Sequence, residues 1–439
     1  MANITEPSLL IDEPPMPLTP IRIMRPLSAG RVHIRRWLLV LLTVVPWVIV
    51  AALLVVVGLQ FRSAGRNSLL SSGSQTIPGK PGPWGQLDYR PIRIDPPDEF
   101  VFVPPIDQPP VHWVFHAMTK EQAVEFLKSA GITAAQLETI GKAAWKPEPQ
   151  GVSVEPGDDF ILSLSPDARG KIYSRLVEFE ENSRQLDPVW FEKGQVEERI
   201  KDSGLSQSSL DLLKSLLYPQ GPSLLLFADF EPALRRLPDD QERHRFMKAV
   251  SRKKTLLAGL RITPNSDLSQ IIDYWGVGGR KKDVAPLLGA MRHEGDAKVN
   301  LVCLLPSFAR ERLFTYPFPG SVDGTGVKQD CFWTAMNFFS TTPDNRVNDM
   351  TYLRDLLKSD YYTINQPSQL GDVVFLATPQ DAVIHAAAYV ADDVVFTKNG
   401  ESYTQPWILM RMDDMIDTYA VKHPSGGPLK VLCYRKKTL

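Results

Sequence analysis

Apolar residues recur at helical spacing after one cysteine: Phe332, Ala335, Met336 and Phe339 share a face of the segment Cys331 to Phe339. This predicts a buried helix with Cys331 in its first turn. Farther on the pattern turns strand-like. Val373 to Ala377 and Ala382 to Val390 read as strands, and Val394 to Thr397 continues a meander after an Asp392-Asp393 turn. From Val111 to about Asp296 the signals are mainly helical. Thr119-Lys120-Glu121-Gln122 and Thr133-Ala134-Ala135-Gln136 have capping-box spacing, Gly131 stands at a helix stop, and Ser165-Pro166-Asp167 opens another helix. Ser209 to Tyr218, Asp239 to Lys254, Asp267 to Trp275 and Val284 to His293 read as helices, with strands at Ser223 to Ala228 and Thr255 to Ile262. No internal repeat is visible.

Upstream, Trp37 to Phe61 carries no charge. At about 1.5 Å per residue it spans a hydrocarbon core of roughly 30 Å, and it lacks a clear small-residue cleavage site. Arg25, Arg31, Arg35 and Arg36 precede it, against Arg62 and Arg66 after it, which predicts a cytoplasmic N-terminus. Prolines crowd the next stretch, with Pro78, Pro81, Pro83, Pro91, Pro96 and Pro97 among them. Proline removes backbone donors and favours extended geometry, so this stretch reads as a semi-rigid spacer. The expected organisation is a cytoplasmic tail over 1–36, a transmembrane helix over 37–61, a Pro-rich linker over 62–110, a mainly helical middle region of unassigned function over 111–309, and an α+β domain over 310–439.

Composition narrows the function classes. The 439 residues suggest about two or three domains. The formal net charge of −1 gives no electrostatic footprint for nucleic acid. Three cysteines, Cys303, Cys331 and Cys433, are too few for a disulfide scaffold. A Cys303–Cys433 bridge leaving Cys331 free would require an oxidising compartment. Oligomeric state is not legible.

The chemistry concentrates on Cys331 and His385. The positive end of a helix dipole favours thiolate in the first turn, and a histidine on a neighbouring strand can take the thiol proton. Asp330 reads as the helix cap. His112 and His116 have helical zinc spacing but no nearby Glu, and Gly276-Val277-Gly278-Gly279-Arg280 lacks the Lys-Ser/Thr ending of a phosphate loop. The latter reads as a helix-terminating turn, and Arg252-Lys253-Lys254 as a solvated helix end. No metal or organic cofactor is expected.

The ordered set Asp330-Cys331, Gly371-Asp372-Val373-Val374-Phe375 and His385 to Tyr389 resembles the NlpC-like cell-wall cysteine peptidases, across 310–439 and nothing before it. The resemblance implies a small papain-like α+β fold. Phe332-Trp333 replaces the family's Ser-Gly after the cysteine. Where the family usually places a second histidine or another polar residue, this chain has Thr397, with Asn399 on the same strand face. Asn399 could accept from the imidazole N–H, as in a Cys-His-Asn triad. Tyr316 falls near a family tyrosine that polarises the substrate carbonyl. With the apolar span, the expectation is a single-pass enzyme of the bacterial inner membrane whose C-terminal domains are extracytoplasmic, and the resemblance implies that the amide bond it cleaves lies in the peptide stems of peptidoglycan. Two alternatives stand beside it: an acyl or amide transferase on the same fold, and a catalytically silent wall-binding or scaffolding module.

Overall fold

The structure is a computed structural model that describes residues 76–186, 188–222, 224–317, 327–422 and 427–438. The chain divides into units 1–68 and 69–439, and all described residues lie in the second. In chain order the strands are β1 (Ile77–Pro78), β2 (Gln86–Ile94), β3 (Trp113–His116), β4 (Ala144–Glu148), β5 (Gly151–Glu155), β6 (Val189–Glu192), β7 (Tyr218–Gln220) and β8 (Leu224–Phe227). They continue with β9 (Lys253–Ile262), β10 (Ala297–Asn300), β11 (Tyr361–Ile364), β12 (Val373–Ala377), β13 (Val383–Ala391), β14 (Val394–Lys398), β15 (Trp407–Arg411) and β16 (Lys430–Lys436).

These strands form four sheets: β1-β2-β9-β10, β3-β5-β4, β6-β8-β7, and a six-stranded sheet in the order β11-β16-β12-β13-β14-β15. The α+β class holds, but two expectations are corrected. Among the described residues no helix is long and apolar enough to cross a membrane, against the single-pass, inner-membrane assignment. The stretch Trp37 to Phe61 itself lies outside the described residues. The Pro-rich linker is not a spacer from Ile77 onward: β2 pairs with β9 along its whole length, from Gln86↔Arg261 to Ile94↔Lys253. Pro91 is tolerated there because β1 covers only Asp88 and Tyr89, leaving the rest of β2 as an edge among the described residues. In the middle region short helices outnumber the strands, and those strands belong to three of the four sheets.

Local signals formed as the residues dictate. Thr119 and Thr133 each close a capping box, onto helices Lys120–Ala130 and Ala134–Gly141, and Gly131 ends the first at φ 104°. Ser165 caps Pro166–Leu176. Gly276 ends the helix Leu268–Trp275, with Gly278 and Gly279 at positive φ, so the glycine run is a turn.

One core joins the first sheet to the C-terminal one: Leu87, Leu260, Trp275, Trp333, Phe396 and Leu409 all belong to it. Polar ties reinforce the seam. Thr255 Oγ1 donates to the Leu409 carbonyl at 3.1 Å and accepts from Leu409 N–H at 3.0 Å, and the Tyr274 hydroxyl donates to the Val390 carbonyl at 2.6 Å. The proline-rich stretch and the cysteine-bearing unit are thereby one packed body.

Candidate functional site

Asp330 caps the helix Cys331–Met336: its Oδ1 accepts from Trp333 N–H at 2.9 Å. Thr334 in the same helix donates to the Asp330 carbonyl at 2.7 Å and accepts from Trp407 Nε1–H at 2.9 Å, which ties the helix to β15. The helix start packs on β13, and the Cys331 sulfur accepts from the backbone N–H of Ala386, the residue after His385. Fold topology thus brings the predicted nucleophile to the strand that carries the predicted base.

His385 sits where β13 pairs with Leu376 of β12, next to an irregularity in register that leaves Ile384 without a partner residue. Such bulges re-aim side chains. The ring is fully buried, as is Thr397 on β14. Thr397 Oγ1 lies 3.0 Å from His385 Nε2 and donates to the Ala386 carbonyl at 3.0 Å. Its one proton being committed there, the hydroxyl accepts from Nε2–H, which leaves Nδ1 as the basic nitrogen of the ring. Tyr419, from the helix Met412–Lys422, stacks on the imidazole at 4.0 Å between centroids and 20° between planes.

The electrostatics run opposite to the expected thiolate. Burial, and then the negative charge of Asp330, push the Cys331 thiol up to about 12. The six-residue helix offers little dipole against that. Lys398, beside Thr397, is fully buried, and its ammonium donates to the Gly400 and Ser402 carbonyls at 2.6 and 2.9 Å. Desolvation lowers it to about 8, while Asp330 and Cys331 act to hold it charged.

Of the predicted site residues, the structure joins His385 to Thr397 and sets Cys331 against β13, the strand that carries His385. Asn399 turns elsewhere, with its amide nitrogen 3.8 Å from Met410 Sδ. Tyr316 packs edge-on to Phe100 at 6.4 Å and feels the charges of Asp95 and Arg199, so the carbonyl-polarising role is not where this tyrosine sits. Asp372 is structural: it accepts from Ser368 N–H and Gln369 N–H and pairs with Arg435 at 2.7 Å. His116 pairs with Glu181 at 3.1 Å and stacks on Phe179. Among the described residues no group of His, Cys, Asp or Glu is arranged to hold a metal. Three glycines precede Cys331 in the sequence, Gly320, Gly324 and Gly326, and they lie outside the described residues.

Sequence reasoning missed Tyr419 and Lys398. Tyr419 sits on a helix of mixed polarity with no motif. Lys398 ends an apolar strand, and that one charge in a buried stretch was a legible signal.

Searched against protein-family models, curated proteins and solved structures, the chain matches none.

Proposed function

We propose that the C-terminal unit is a cysteine hydrolase of amide bonds, with Cys331 as nucleophile, His385 as base and Thr397 as the residue that orients the ring. The observation that supports it is the chain of contacts from sulfur to strand to hydroxyl: Cys331 Sγ held by Ala386 N–H, and His385 Nε2 held 3.0 Å from Thr397 Oγ1. With the resting thiol protonated, the pair works as thiol and neutral imidazole. His385 takes the sulfur proton as the S–C bond forms, then returns it to the leaving amine, and water releases the acyl group from sulfur. By the resemblance set out above, the substrate class is the stem peptides of peptidoglycan.

The test is cleavage of such peptides, read by mass spectrometry of the products. Cys331→Ala should abolish cleavage, and His385→Ala should slow it about 100-fold or more. Added amines that appear in the product would identify the transferase variant of the same chemistry. One observation favours a second reading, a catalytically silent wall-binding module: the buried thiol with its proton held up to about 12. Intact substrate after prolonged incubation, with wall binding equal in wild type and Cys331→Ala, would decide for it.

A further inference from the structure

A cavity of about 460 Å³, whose lining does not include Cys331, His385 or Thr397, is walled by β2, β6, β9 and the connection from β14 into β15. Six cationic side chains line it (Arg93, Arg199, Arg252, Lys253, Lys254 and Arg411) against two carboxylates, Glu192 and Asp414. The run Arg252-Lys253-Lys254 is therefore not a solvated helix end. Its volume lies in the range of small-molecule sites.

The ion pairs around this cavity are unevenly shared. Lys254 takes Glu192 at 3.1 Å and Asp414 at 3.9 Å, Arg252 takes Asp95 at 2.6 Å, and Arg411 faces Asp392 at 3.6 Å. Arg93 and Arg199 hydrogen-bond to neutral groups, although the charge of Glu192 acts on both and that of Glu198 on Arg93. Arg93 donates to Gln195 Oε1 at 2.8 Å, and Arg199 donates to the Trp190 and Val250 carbonyls. The Nε of each is buried with no hydrogen-bond partner, and Arg199 is only 6% exposed. A buried guanidinium donor left unmade is costly, and two guanidinium groups facing one space repel. Arg199 shows both: burial first, then the charges of Arg93 and Arg252, bring it down to about 9. An anion is the ligand that answers both costs, and the planar fork of arginine suits carboxylate and phosphate oxygens. The remaining wall mixes polar side chains such as Ser251 and Gln405 with apolar Phe100, Phe230, Met247 and Ile408, and Phe102 stands 59% exposed at the rim.

We propose that this cleft binds an organic anion, a carboxylate or phosphate borne on an apolar group, held by Arg93 and Arg199. The site does not depend on Cys331. Titration calorimetry on the full chain, with phenyl phosphate, benzoate and inorganic phosphate, tests it. Saturable binding of phenyl phosphate or benzoate is expected, weaker for inorganic phosphate and weaker as salt rises. The preferred aromatic probe identifies the head group. Arg93→Gln should lower the affinity at least tenfold, while Cys331→Ala leaves it unchanged. No saturable binding of either aromatic anion, or binding indifferent to Arg93→Gln, overturns the proposal. Should Arg93→Gln fail to fold, phenylglyoxal modification of the wild type decides: phenyl phosphate and benzoate are each tested for slowing the reaction at Arg93, and absence of protection by both overturns it.

Discussion

Thr397 fixes which nitrogen of His385 carries the proton. Its hydroxyl gives its hydrogen to the Ala386 carbonyl and takes one from Nε2, each across 3.0 Å, in a fully buried setting. Thr397→Val keeps the shape and removes both bonds. Leaving a buried carbonyl and a ring N–H unpaired costs roughly 1–3 kcal/mol. On the enzyme reading, hydrolysis should fall by about tenfold or more through loss of ring orientation. Nitrogen-detected NMR gives a readout apart from activity: one tautomer, protonated at Nε2, in the wild type, and a mixture in Thr397→Val.

The three cysteines should separate by alkylation. Cys303 is exposed, whereas burial pushes the Cys331 thiol up to about 12 and Cys433 up to about 11. The thiolate is the reactive form. Iodoacetamide near pH 8 should label Cys303 first, with Cys331 rising only as pH climbs toward 12. Asp330→Asn keeps a good helix cap and removes the negative charge beside the sulfur. Cys331 should then label several-fold faster at a given pH, with the helix intact by circular dichroism.

Asp393 makes the fold less stable at neutral pH. Burial and the charge of Asp413 raise its carboxyl to about 6. Between about pH 4 and pH 6 the folded chain holds a proton that the unfolded chain has released, so stability falls as pH rises through that window. Asp393→Asn removes this cost. The residue lies at φ 66°, a conformation asparagine tolerates. After allowance for solvent screening, the variant should gain roughly 1 kcal/mol at pH 7 and nothing near pH 4. Urea midpoints across pH would show it.

In the middle region the buried pair of Arg169 Nε and Asp229 Oδ2, at 2.8 Å, anchors two elements. Arg169 also donates to the Ile161 and Ser215 carbonyls at 2.9 and 3.1 Å, and the Tyr173 hydroxyl donates to Asp229. Asp229→Ala strands a guanidinium without its counter-charge and should cost about 3–5 kcal/mol by denaturant unfolding. The double change Arg169→Met with Asp229→Leu should recover much of that loss.

Much of the local structure was legible from residues alone. Capping boxes at Thr119 and Thr133 and the cap at Asp330 stand where their side chains satisfy nearby backbone groups, and the strand Val373–Ala377 and the Asp392-Asp393 turn follow the hydrophobic and turn pattern. The proline-rich stretch misled because composition does not reveal that β9 would supply its hydrogen bonds from more than a hundred residues away.

Short-range hydrogen bonding and hydrophobic period are written into neighbouring residues, so the chain by itself specified its helix starts, its C-terminal strands and the order of cysteine before histidine. Only tertiary packing decided that Thr397, not Asn399, meets the imidazole, that Tyr316 lies against Phe100, and that the thiol is held protonated. It also decided that Arg93, Arg199 and Arg252 face one space. Desolvation and long-range charge sum over every neighbour in space, and those neighbours come from distant parts of the sequence.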